Sequence, residues 1–327
     1  MSNHLVKVGI LGCANIAERF VIPAFLELNN LYSLEAIASR DKEKSKKLTN
    51  NFGGTPLGSY NELISNDNIH LVYIPLPNSL HAKWIEAALN SGKHVLVEKT
   101  MTCSLEETIH LNQLAKEKKL ILIENFQFRF HSQLEIIKNI INSGELGELR
   151  NITSCFGFPP FSDKENIRYS KELGGGALLD AGAYPLKLTQ EILGQDVYID
   201  SASLNTLKCS SVDIWGGAQL KSRSKGVISQ ISFGFDNHYQ CKLEVWCSEG
   251  IITAQRIFTS PPNQRAVITV KTNEGSKEIS TDKDNHFKNL LEALYSMITS
   301  PEIATNEYEC NINQARLIKE LKEKSNE

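Results

Sequence analysis

The sequence predicts two domains: an α/β domain with a doubly wound parallel sheet, then an α+β domain with an open, mainly antiparallel sheet. Two observations support this fold class. Up to residue 125, short and continuously apolar runs alternate with helical patterns, as expected for parallel strands covered on both faces. From about residue 146, apolar residues alternate with polar ones between Gly, Ser and Asn turns, which indicates a sheet with one buried face. We therefore expect domains at residues 1–125 and 126–327.

The elements follow from these patterns in chain order. Strands of the first domain are expected at VKVGIL, LEAIAS, HLVYIP, HVLVEK and LILIEN. The helical patterns between them are ANIAERFVIPAFLEL, DKEKSKKLTNNF, HAKWIEAALNSG and SLEETIHLNQLAKEKK. In the second domain, strands are expected at ELRNITSCFGF, YIDSASLNTL, DIWGGAQLKS, GVISQISFGF, YQCKLEVWCSEG and RAVITVKT. Its helices are expected in LGGGALLDAGAYPLKL, HFKNLLEALYSMI and INQARLIKELKEK.

The composition restricts the classes of function. Of the 327 residues, 41% are hydrophobic and 22% are charged, which is typical of a globular protein. The net charge of −3 provides no basic excess for nucleic acid or an anionic membrane. No apolar run approaches the roughly 20 residues of a membrane span, and no basic leader precedes the first strand. Seven scattered cysteines without a CxxC pair suit a reducing compartment, so a cytoplasmic protein is expected.

The turn after the first strand has the pattern of a dinucleotide site. From Gly12 it is G-x-A-x-x-A, with Ala14 and Ala17 at the second and third glycine positions of the fingerprint. Small residues permit the tight turn, the approach of backbone to a pyrophosphate and close helix–strand packing. The helix that follows presents N–H groups and a positive dipole end to the phosphates. The predicted cofactor contacts are Gly12, Cys13, Ala14, Asn15, Ile16 and Ala17.

The end of the second strand distinguishes the two nicotinamide cofactors. An NAD site usually has an acid here for the ribose 2′-hydroxyl, whereas this chain has Ser39 and Arg40. A guanidinium beside a small hydroxyl suits a 2′-phosphate. Asp41 is the rival, but we expect it to cap the helix that follows. NADP(H) is therefore favoured over NAD(H).

Further candidates follow the next two strands, at the sheet edge where open α/β sheets bind ligands. The third strand runs into a proline-containing loop with Leu76, Pro77 and Asn78. His81 follows at the start of a helix, where it either contacts the cofactor or has no functional role. The fourth strand ends in Glu98 and Lys99, and a lysine that ends a wholly apolar strand costs free energy unless it is paired.

These stretches together resemble one known family of oxidoreductases. GCANIA, ASR, YIPLPNSLHAKWIEAALNSGKHVLVEK, ENFQFRF, GELGELR and GGGALLDAGAYP resemble the Gfo/Idh/MocA family over nearly the whole chain. Within that family, FPPFSDKENIRY, SFGFDNHY and RIFTSPP are similar to NADPH-dependent C-3 ketoreductases of dTDP-linked deoxysugars. The resemblance implies an N-terminal Rossmann domain and a C-terminal sheet used for assembly into a homodimer or homotetramer.

The resemblance also implies the catalytic residues. The lysine of the family's E-K-P motif corresponds to Lys99, which would contact the reacting oxygen and the cofactor ribose. The acid of the G-G-G-x-x-x-D-x-G-x-H/Y motif corresponds to Asp180, and the acid–base residue to Tyr184. Ketone reduction needs a hydride from the nicotinamide and a proton for the alkoxide, and an adjacent ammonium brings a phenol of pKa about 10 towards the working range. The glycines would let the chain pass close to cofactor and substrate, and the four-residue spacing would direct Asp180 and Tyr184 to one site. Two structural alternatives remain, an acid that anchors a helix and a phenol that only packs.

Other residues are assigned through the resemblance alone. Arg168 and Asn125 would contact the cofactor, and four residues would contact the substrate together with Lys99 and Tyr184: Arg19, Arg129, Tyr239 and Thr259. Thr100 departs from the family, which has proline after the lysine. Either the cis bond typical of that proline survives in front of Thr100, or the bond is trans and Lys99 is aimed differently.

The sequence thus predicts an NADPH-dependent oxidoreductase that reduces a keto group, at C-3, of a nucleotide-linked sugar. One alternative is an NAD(P)-dependent sugar or polyol dehydrogenase of the same family, and another is a catalytically silent dinucleotide-binding regulator. Eight dispersed histidines show no pair at ligand spacing, and no nucleophile elbow occurs. Neither a metal site nor a Ser or Cys nucleophile is predicted.

Overall fold

The computed structural model describes residues 5–163, 165–208, 210–300 and 306–326. The chain divides into two compact units, one formed by Met1–Asn125 with Phe287–Ile312 and the other by Phe126–His286 with Asn313–Glu327. The predicted domains divide the chain at residue 125 alone, whereas the contacts also assign Phe287–Ile312 to the first unit.

The segment Phe287–Ile312 belongs to the first unit because it contacts residues there. The ring of Phe287 stacks on Phe20 with 5.2 Å between centroids. The hydroxyl of Tyr32, a buried residue, donates to the carbonyl oxygen of Leu291 at 2.7 Å. Asn311 donates from Nδ2 to the carbonyl oxygen of Leu122 at 3.0 Å. These contacts are remote in sequence, so periodicity alone could not reveal them.

The first unit contains a six-stranded parallel sheet. Its strands are β1 Val6–Leu11, β2 Tyr32–Ala38, β3 Thr55–Leu57, β4 Leu71–Ile74, β5 His94–Val97 and β6 Leu122–Glu124. They lie in the order β3-β2-β1-β4-β5-β6, the order of a dinucleotide-binding doubly wound sheet. Its helices are α1 Ile22–Glu27, preceded by a π-helical turn at Ala17–Val21, and α2 Lys42–Phe52, α3 Tyr60–Ile64, α4 Asn78–Asn90 and α5 Leu105–Lys118.

Local chemistry sets several boundaries in this unit. Asp41 caps α2 by accepting a hydrogen bond from the Glu43 amide at 3.1 Å, as predicted. Ser104 caps α5 in the same way through the Glu107 amide. Neither β3 nor α3 was predicted, because an edge strand of three residues containing Pro56 and a helix of five residues are too short to show periodicity.

The second unit contains an eight-stranded sheet. Its strands are β7 Leu149–Gly157, β8 Val197–Asn205, β9 Trp215–Ser222, β10 Ile228–Gly234, β11 Gln240–Cys247, β12 Gly250–Gln255, β13 Arg265–Thr272 and β14 Gly275–Lys283. The order is β14-β13-β12-β11-β7-β10-β9-β8, and β7 and β10 are parallel whereas the other pairs are antiparallel. Two strands were not predicted: β12, which follows β11 after a two-residue turn, and the polar, largely exposed β14.

Helices cover one face of this sheet. They are α6 Ser132–Ser143 and α7 Ala183–Leu193, with short helical segments at Gln127–Phe130, Ile167–Tyr169 and the π-helical Leu178–Gly182. The last helices of the chain are α8 His286–Thr299 and α9 Glu307–Lys324. Helix α7 packs against β7, β8 and β10. The predicted fold class is confirmed, and none of the helices in the described part of the chain is long and apolar enough to cross a membrane.

Candidate active site

The turn after β1 has the geometry expected of a dinucleotide loop. Gly12 has φ +128°, where an L side chain is strained, and a Cβ there would lie 2.8 Å from Cδ2 of Leu76. Cys13 and Ala14 follow, and helical backbone begins at Asn15 and continues through the π-helical turn into α1. Backbone N–H groups at the start of this helix are therefore available to a phosphate.

An open cavity of about 430 Å³ lies beside this turn, at the end of β2. It is lined by Cys13, Ser39, Arg40, Asp41, Lys44 and Tyr60. Asp41 keeps its negative charge while it caps α2, but the two cationic side chains of Arg40 and Lys44 outnumber it, so the cavity carries a net positive charge. Sequence analysis missed Lys44 and Tyr60, although Lys44 lies one helical turn beyond Arg40 in the KEKSKK stretch.

Charges and hydroxyls in this cavity interact. Burial raises the pKa of the Cys13 thiol, while a hydrogen bond to Ser39 and the charge of Lys44 oppose that shift. Burial likewise raises the pKa of the Tyr60 phenol, and the charge of Arg40 opposes it. Two cations beside two hydroxyls form a cavity that fits a phosphate group, and the loop at Gly12 is the part that fits a pyrophosphate.

The loop after β4 is joined to the loop after β5 through His81. Leu76 and Pro77 lie in the first loop, half-buried, and Asn78 begins α4. The imidazole of His81 is fully buried, with Nδ1 2.8 Å from the carbonyl oxygen of Thr100 and Nε2 2.7 Å from that of Leu76. Burial lowers its pKa, and the hydrogen bonds to the two carbonyl oxygens oppose the shift. Both nitrogens contact the chain itself, so His81 joins two loops, which neither sequence interpretation foresaw.

Glu98 and Lys99 follow β5 in a polar environment. Oε1 of Glu98 accepts a hydrogen bond from the Tyr73 hydroxyl at 2.7 Å and from Nδ2 of Asn125 at 2.5 Å. Burial raises the pKa of Glu98, whereas these two hydrogen bonds and the charge of Lys99 oppose the shift. The peptide bond between Lys99 and Thr100 is cis, the first of the two alternatives.

The buried Asn125 retains an unused acceptor. Its Nδ2 is occupied by Glu98, but Oδ1 has no hydrogen-bond partner among the residues that the structure describes. A buried amide oxygen without a donor costs free energy, so this atom fits a site that a bound amide or hydroxyl would complete.

The predicted substrate residue Arg19 is exposed on the π-helical turn, and its guanidinium lies 5.1 Å from the ring centre of Phe20.

In the second unit, two of the three consecutive glycines, Gly175 and Gly176, pack closely against protein atoms. Gly174 and Gly176 have φ +74° and +111°. A Cβ on Gly175 would lie 2.4 Å from the carbonyl oxygen of Arg168, and one on Gly176 would lie 2.4 Å from Oδ1 of Asp213. The predicted approach to cofactor and substrate stays a prediction, since the close neighbours in this unit belong to the chain itself.

The next turn carries Asp180 and contacts Arg168. Nε of Arg168 donates to Oδ2 of Asp180 at 2.6 Å, and its guanidinium lies 4.8 Å from the ring centre of Phe161. Burial lowers the pKa of Arg168, but the charge and hydrogen bond of Asp180 raise it overall, with a smaller contribution from Tyr184. The structure therefore places these three ionisable groups in one electrostatic neighbourhood, and Asp180 holds the cation in place.

Tyr184 is surrounded by aromatic rings. Only 8% of it is exposed. Phe126 and Phe156 contact the ring edge-on, with centroids 5.5 and 5.2 Å away. Phe128 and Phe258 are tilted against it at 5.9 and 5.5 Å. Such a surround excludes water from most of the ring and restricts its position.

Sequence reasoning missed these four phenylalanines and one lysine. Lys187, one turn beyond Tyr184, is 1% exposed, and its Nζ lies 5.4 Å from the ring centre of Phe126. A lysine inside the apolar pattern AYPLKL was a usable signal, because a solvated lysine would not be expected on that face. Phe126 and Phe128 share one short stretch, but Phe156 and Phe258 lie far away in the sequence, so no local pattern connects the four.

The remaining predicted substrate residues lie in two places within the second unit. Nε of Arg129 donates to Oε1 of Glu191 at 2.8 Å, in a largely buried ion pair. The Tyr239 hydroxyl lies 3.0 Å from Oγ1 of Thr259, and the guanidinium of Arg256 lies 5.6 Å from the Tyr239 ring centre. The structure thus brings Tyr239 and Thr259 together and pairs Arg129 with an acid. No group of three or more metal-ligating side chains occurs among the described residues.

Comparison with known sequences identifies the family. The family model described as an oxidoreductase family with an NAD-binding Rossmann fold matches residues 6–126, and the GFO/IDH/MocA C-terminal domain matches residues 134–253. Together the two cover more than half of the chain. The chain therefore belongs to the Gfo/Idh/MocA family and is an oxidoreductase, which confirms the resemblance and the predicted class of enzyme.

Individual relatives match over nearly the full length. A dTDP-3,4-didehydro-2,6-dideoxy-α-D-glucose 3-reductase of Saccharopolyspora spinosa is 35% identical over 97% of this chain and 96% of its own. A D-xylose 1-dehydrogenase (NADP(+)) of Haloferax volcanii is 30% identical over 95% of this chain and 94% of its own. The crystal structure of KijD10, a 3-ketoreductase from Actinomadura kijaniata in complex with NADP and TDP-benzene, is 34% identical with a TM-score of 0.94 and covers 98% of both chains.

Proposed function

We propose that this oxidoreductase uses NADPH to reduce a keto group, at C-3, of a nucleotide-linked sugar. The observation that carries the proposal is the full-length likeness, in both sequence and fold, to a 3-ketoreductase bound to NADP and TDP-benzene. The chain also retains the three residues that the family motifs assign to catalysis, Lys99, Asp180 and Tyr184.

The preference for NADP(H) over NAD(H) has a physical basis in the cavity at the end of β2. Arg40 and Lys44 would hold a 2′-phosphate by charge-assisted hydrogen bonds, with Ser39 contributing its hydroxyl. The backbone from Gly12 to Ala17 would bind the pyrophosphate. The unused Oδ1 of Asn125 would accept from the carboxamide end of the cofactor.

In the proposed mechanism, one residue donates the proton to the carbonyl oxygen and another stabilises the negative charge on that oxygen. NADPH, when bound, supplies the hydride. Tyr184 donates its phenolic proton to the carbonyl oxygen as that oxygen becomes an alkoxide. The Lys99 ammonium stabilises the negative charge that develops on the same oxygen. Arg168, held by Asp180, contributes a positive field that makes the phenol a stronger acid.

The cofactor claim is tested by nicotinamide fluorescence with NADPH and NADH. We expect wild type to bind NADPH more tightly than NADH, and Arg40→Ala to weaken NADPH binding about 10- to 100-fold, the loss of one charge-assisted contact. NADH binding should change little. Lys46→Ala is the matched control, because Lys46 is on the same helix but pairs with Glu43 at 2.7 Å. Equal binding of both nucleotides that is insensitive to Arg40→Ala would contradict NADP specificity.

A second candidate function is oxidation of a free sugar. The likeness to the D-xylose 1-dehydrogenase favours it, because that relative is similar over almost the whole chain. The two functions differ in direction and substrate, so one spectrophotometric assay of the nicotinamide separates them. Oxidation of NADPH by dTDP-3,4-didehydro-2,6-dideoxy-α-D-glucose would support the ketoreductase. Reduction of NADP⁺ by D-xylose, without activity on the nucleotide sugar, would replace it.

Assembly into a homodimer or homotetramer is proposed through the open face of the second sheet. Strand register places Trp215, Trp246 and Val267 on the same face, and Trp246 is 57% exposed. Large exposed apolar side chains on one sheet face favour association with a second copy. Light scattering on wild type and Trp246→Glu tests this proposal: the variant should have a smaller mass than wild type, whereas a monomeric wild type would contradict assembly.

A further inference from the structure

Asp213, in the loop before β9, holds the start of the helical segment that carries Asp180 and Tyr184. Oδ2 of Asp213 accepts a hydrogen bond from the Leu178 amide at 2.6 Å. Its main-chain oxygen accepts another from the Ala177 amide at 2.9 Å. A single residue therefore satisfies two consecutive N–H groups at the beginning of this segment, where helical backbone leaves donors unpaired.

Gly176 fits closely against the same carboxylate. Its φ of +111° and the 2.4 Å that would separate a Cβ from Oδ1 of Asp213 restrict this position to glycine. The Gly176 amide donates to the carbonyl oxygen of Arg168 at 2.9 Å. Asp213 on one side and the Arg168 backbone on the other thus fix the chain in front of Ala177.

This arrangement connects Asp213 with the ionisable groups of the site. The Arg168 side chain returns to the segment by donating to Asp180, one turn beyond Gly176. Tyr184 follows Asp180 by four residues and lies among the phenylalanine rings. Asp213 thus holds a stretch that Arg168 contacts at both ends, through its backbone at Gly176 and through its guanidinium at Asp180.

We propose that Asp213 is a positioning residue that keeps Arg168 and Asp180 in register with the Tyr184 phenol. The inference rests on the proposed function only for the chemical use of Tyr184. Without the Asp213 carboxylate, the segment loosens and the Arg168–Asp180 ion pair shifts relative to Tyr184, so the phenol loses the favourable charge of Arg168 and becomes a weaker acid.

The test compares Asp213→Asn and Asp213→Ala with a matched control, Asp196→Asn. Asp196 also holds a loop of this unit through a backbone amide, since its Oδ2 accepts from Ser224 at 2.9 Å. Hydrogen–deuterium exchange follows the amides of residues 176–180. Ultraviolet titration follows the Tyr184 phenol, as the difference between each variant and the same variant carrying Tyr184→Phe.

We expect exchange at Ala177 and Leu178 to rise about tenfold or more in the Asp213 variants, as loss of a charge-assisted bond implies. Loss of the Asp213 charge alone would move the titration midpoint of Tyr184 to lower pH, whereas displacement of Arg168 should move it to higher pH, which is the result expected in both variants. Asp196→Asn should change neither quantity. If amide exchange becomes faster but the titration midpoint of Tyr184 does not move, Asp213 is an ordinary helix cap and the proposal is wrong. Unchanged amide exchange would also overturn the proposal. If Asp213→Ala does not fold, the proposal is tested with Asp213→Asn alone, because this variant retains the shape of the side chain.

Both readouts are independent of substrate and cofactor. Turnover of the nucleotide sugar by wild type is measured separately. Its absence would remove the proposed function, while the exchange and titration results would still decide whether Asp213 positions Tyr184.

Discussion

Lys99 and Tyr184, the two residues assigned to the reaction, have opposite surroundings. Lys99 follows β5 beside Glu98, whose carboxylate accepts hydrogen bonds from Tyr73 and Asn125. Tyr184 lies among phenylalanine rings from three separate stretches of the second unit, such as those of Phe128 and Phe258. A charge is held by polar neighbours in one unit, and a neutral phenol by apolar neighbours in the other.

The difference follows from the cost of burying each group. An ammonium can be buried only with compensating charges and hydrogen bonds, so the end of β5 is polar. A neutral phenol is mostly hydrocarbon, and packed rings can hold it while only its hydroxyl needs a polar partner. Each surround thus suits the group that it holds: polar neighbours surround the ammonium, and apolar neighbours surround the aromatic ring.

The largest effect is expected when the phenolic oxygen alone is removed. Tyr184→Phe keeps the ring contacts, so the fold and NADPH binding should persist, while kcat falls about 10²- to 10⁴-fold, the usual contribution of a general acid. Steady-state kinetics measure this. Tyr169→Phe is the control, because its hydroxyl accepts from the Phe161 amide at 3.0 Å. An equal loss in both variants would assign the effect to packing.

Removing the ammonium of Lys99 should lower the rate somewhat less than removing the Tyr184 hydroxyl. Lys99→Met retains the length of the side chain but not the ammonium, and we expect kcat to fall about 10²- to 10³-fold, as for loss of one oxyanion donor. The fall in kcat should exceed the change in Kd for NADPH. Lys99→Arg should recover part of the rate; full activity of Lys99→Met would show that the charge is not used.

A third experiment removes one of the aromatic rings that contact Tyr184. Phe128 is fully buried, so Phe128→Ala should lower the free energy of unfolding by about 3–5 kcal/mol. Urea unfolding provides the measurement. Phe130→Ala, in the same short helix but only half-buried, should cost less. If the two losses were equal, the rings around Tyr184 would have no special part in stability.

The smallest expected effect concerns buried histidines, which also differ between the units. His81 contacts two carbonyl oxygens, whereas His286 packs edge-on against His131 with ring centres 5.7 Å apart. Burial, together with the neighbouring His131, lowers the pKa of His286 to about 3 from 6.5. The unfolded chain then binds more protons than the folded one between these values, so stability falls as the pH drops below 6.5.

By pH 5 the loss from His286 should be about 2 kcal/mol, and it is complete near pH 3. Thermal or urea unfolding from pH 7 to pH 5 should therefore show a smaller decrease for His286→Gln than for wild type. His110→Gln, at an exposed site, is the control and should follow wild type. An unchanged slope in His286→Gln would mean that other groups control acid stability.

The dinucleotide half of the protein was largely predictable because its signals are local. A parallel strand is covered on both faces and is therefore apolar throughout, so the run VKVGIL corresponds to the strand Val6–Leu11. A capping acid such as Asp41 also acts within its own turn. Strand β3 was missed because three residues contain no period, and Phe287–Ile312 because its contacts are with residues far away in the sequence.

The sequence by itself determined the fold class and the family and predicted which residues react, since all of these depend on local periodicity or on short motifs. Only the tertiary structure decided what surrounds those residues. The carbonyl partners of His81, the rings around Tyr184 and the carboxylate of Asp213 against Gly176 come from distant parts of the chain. The physical reason is that burial, charge pairing and close contact are properties of neighbours in space, and a pattern along the chain carries no record of them.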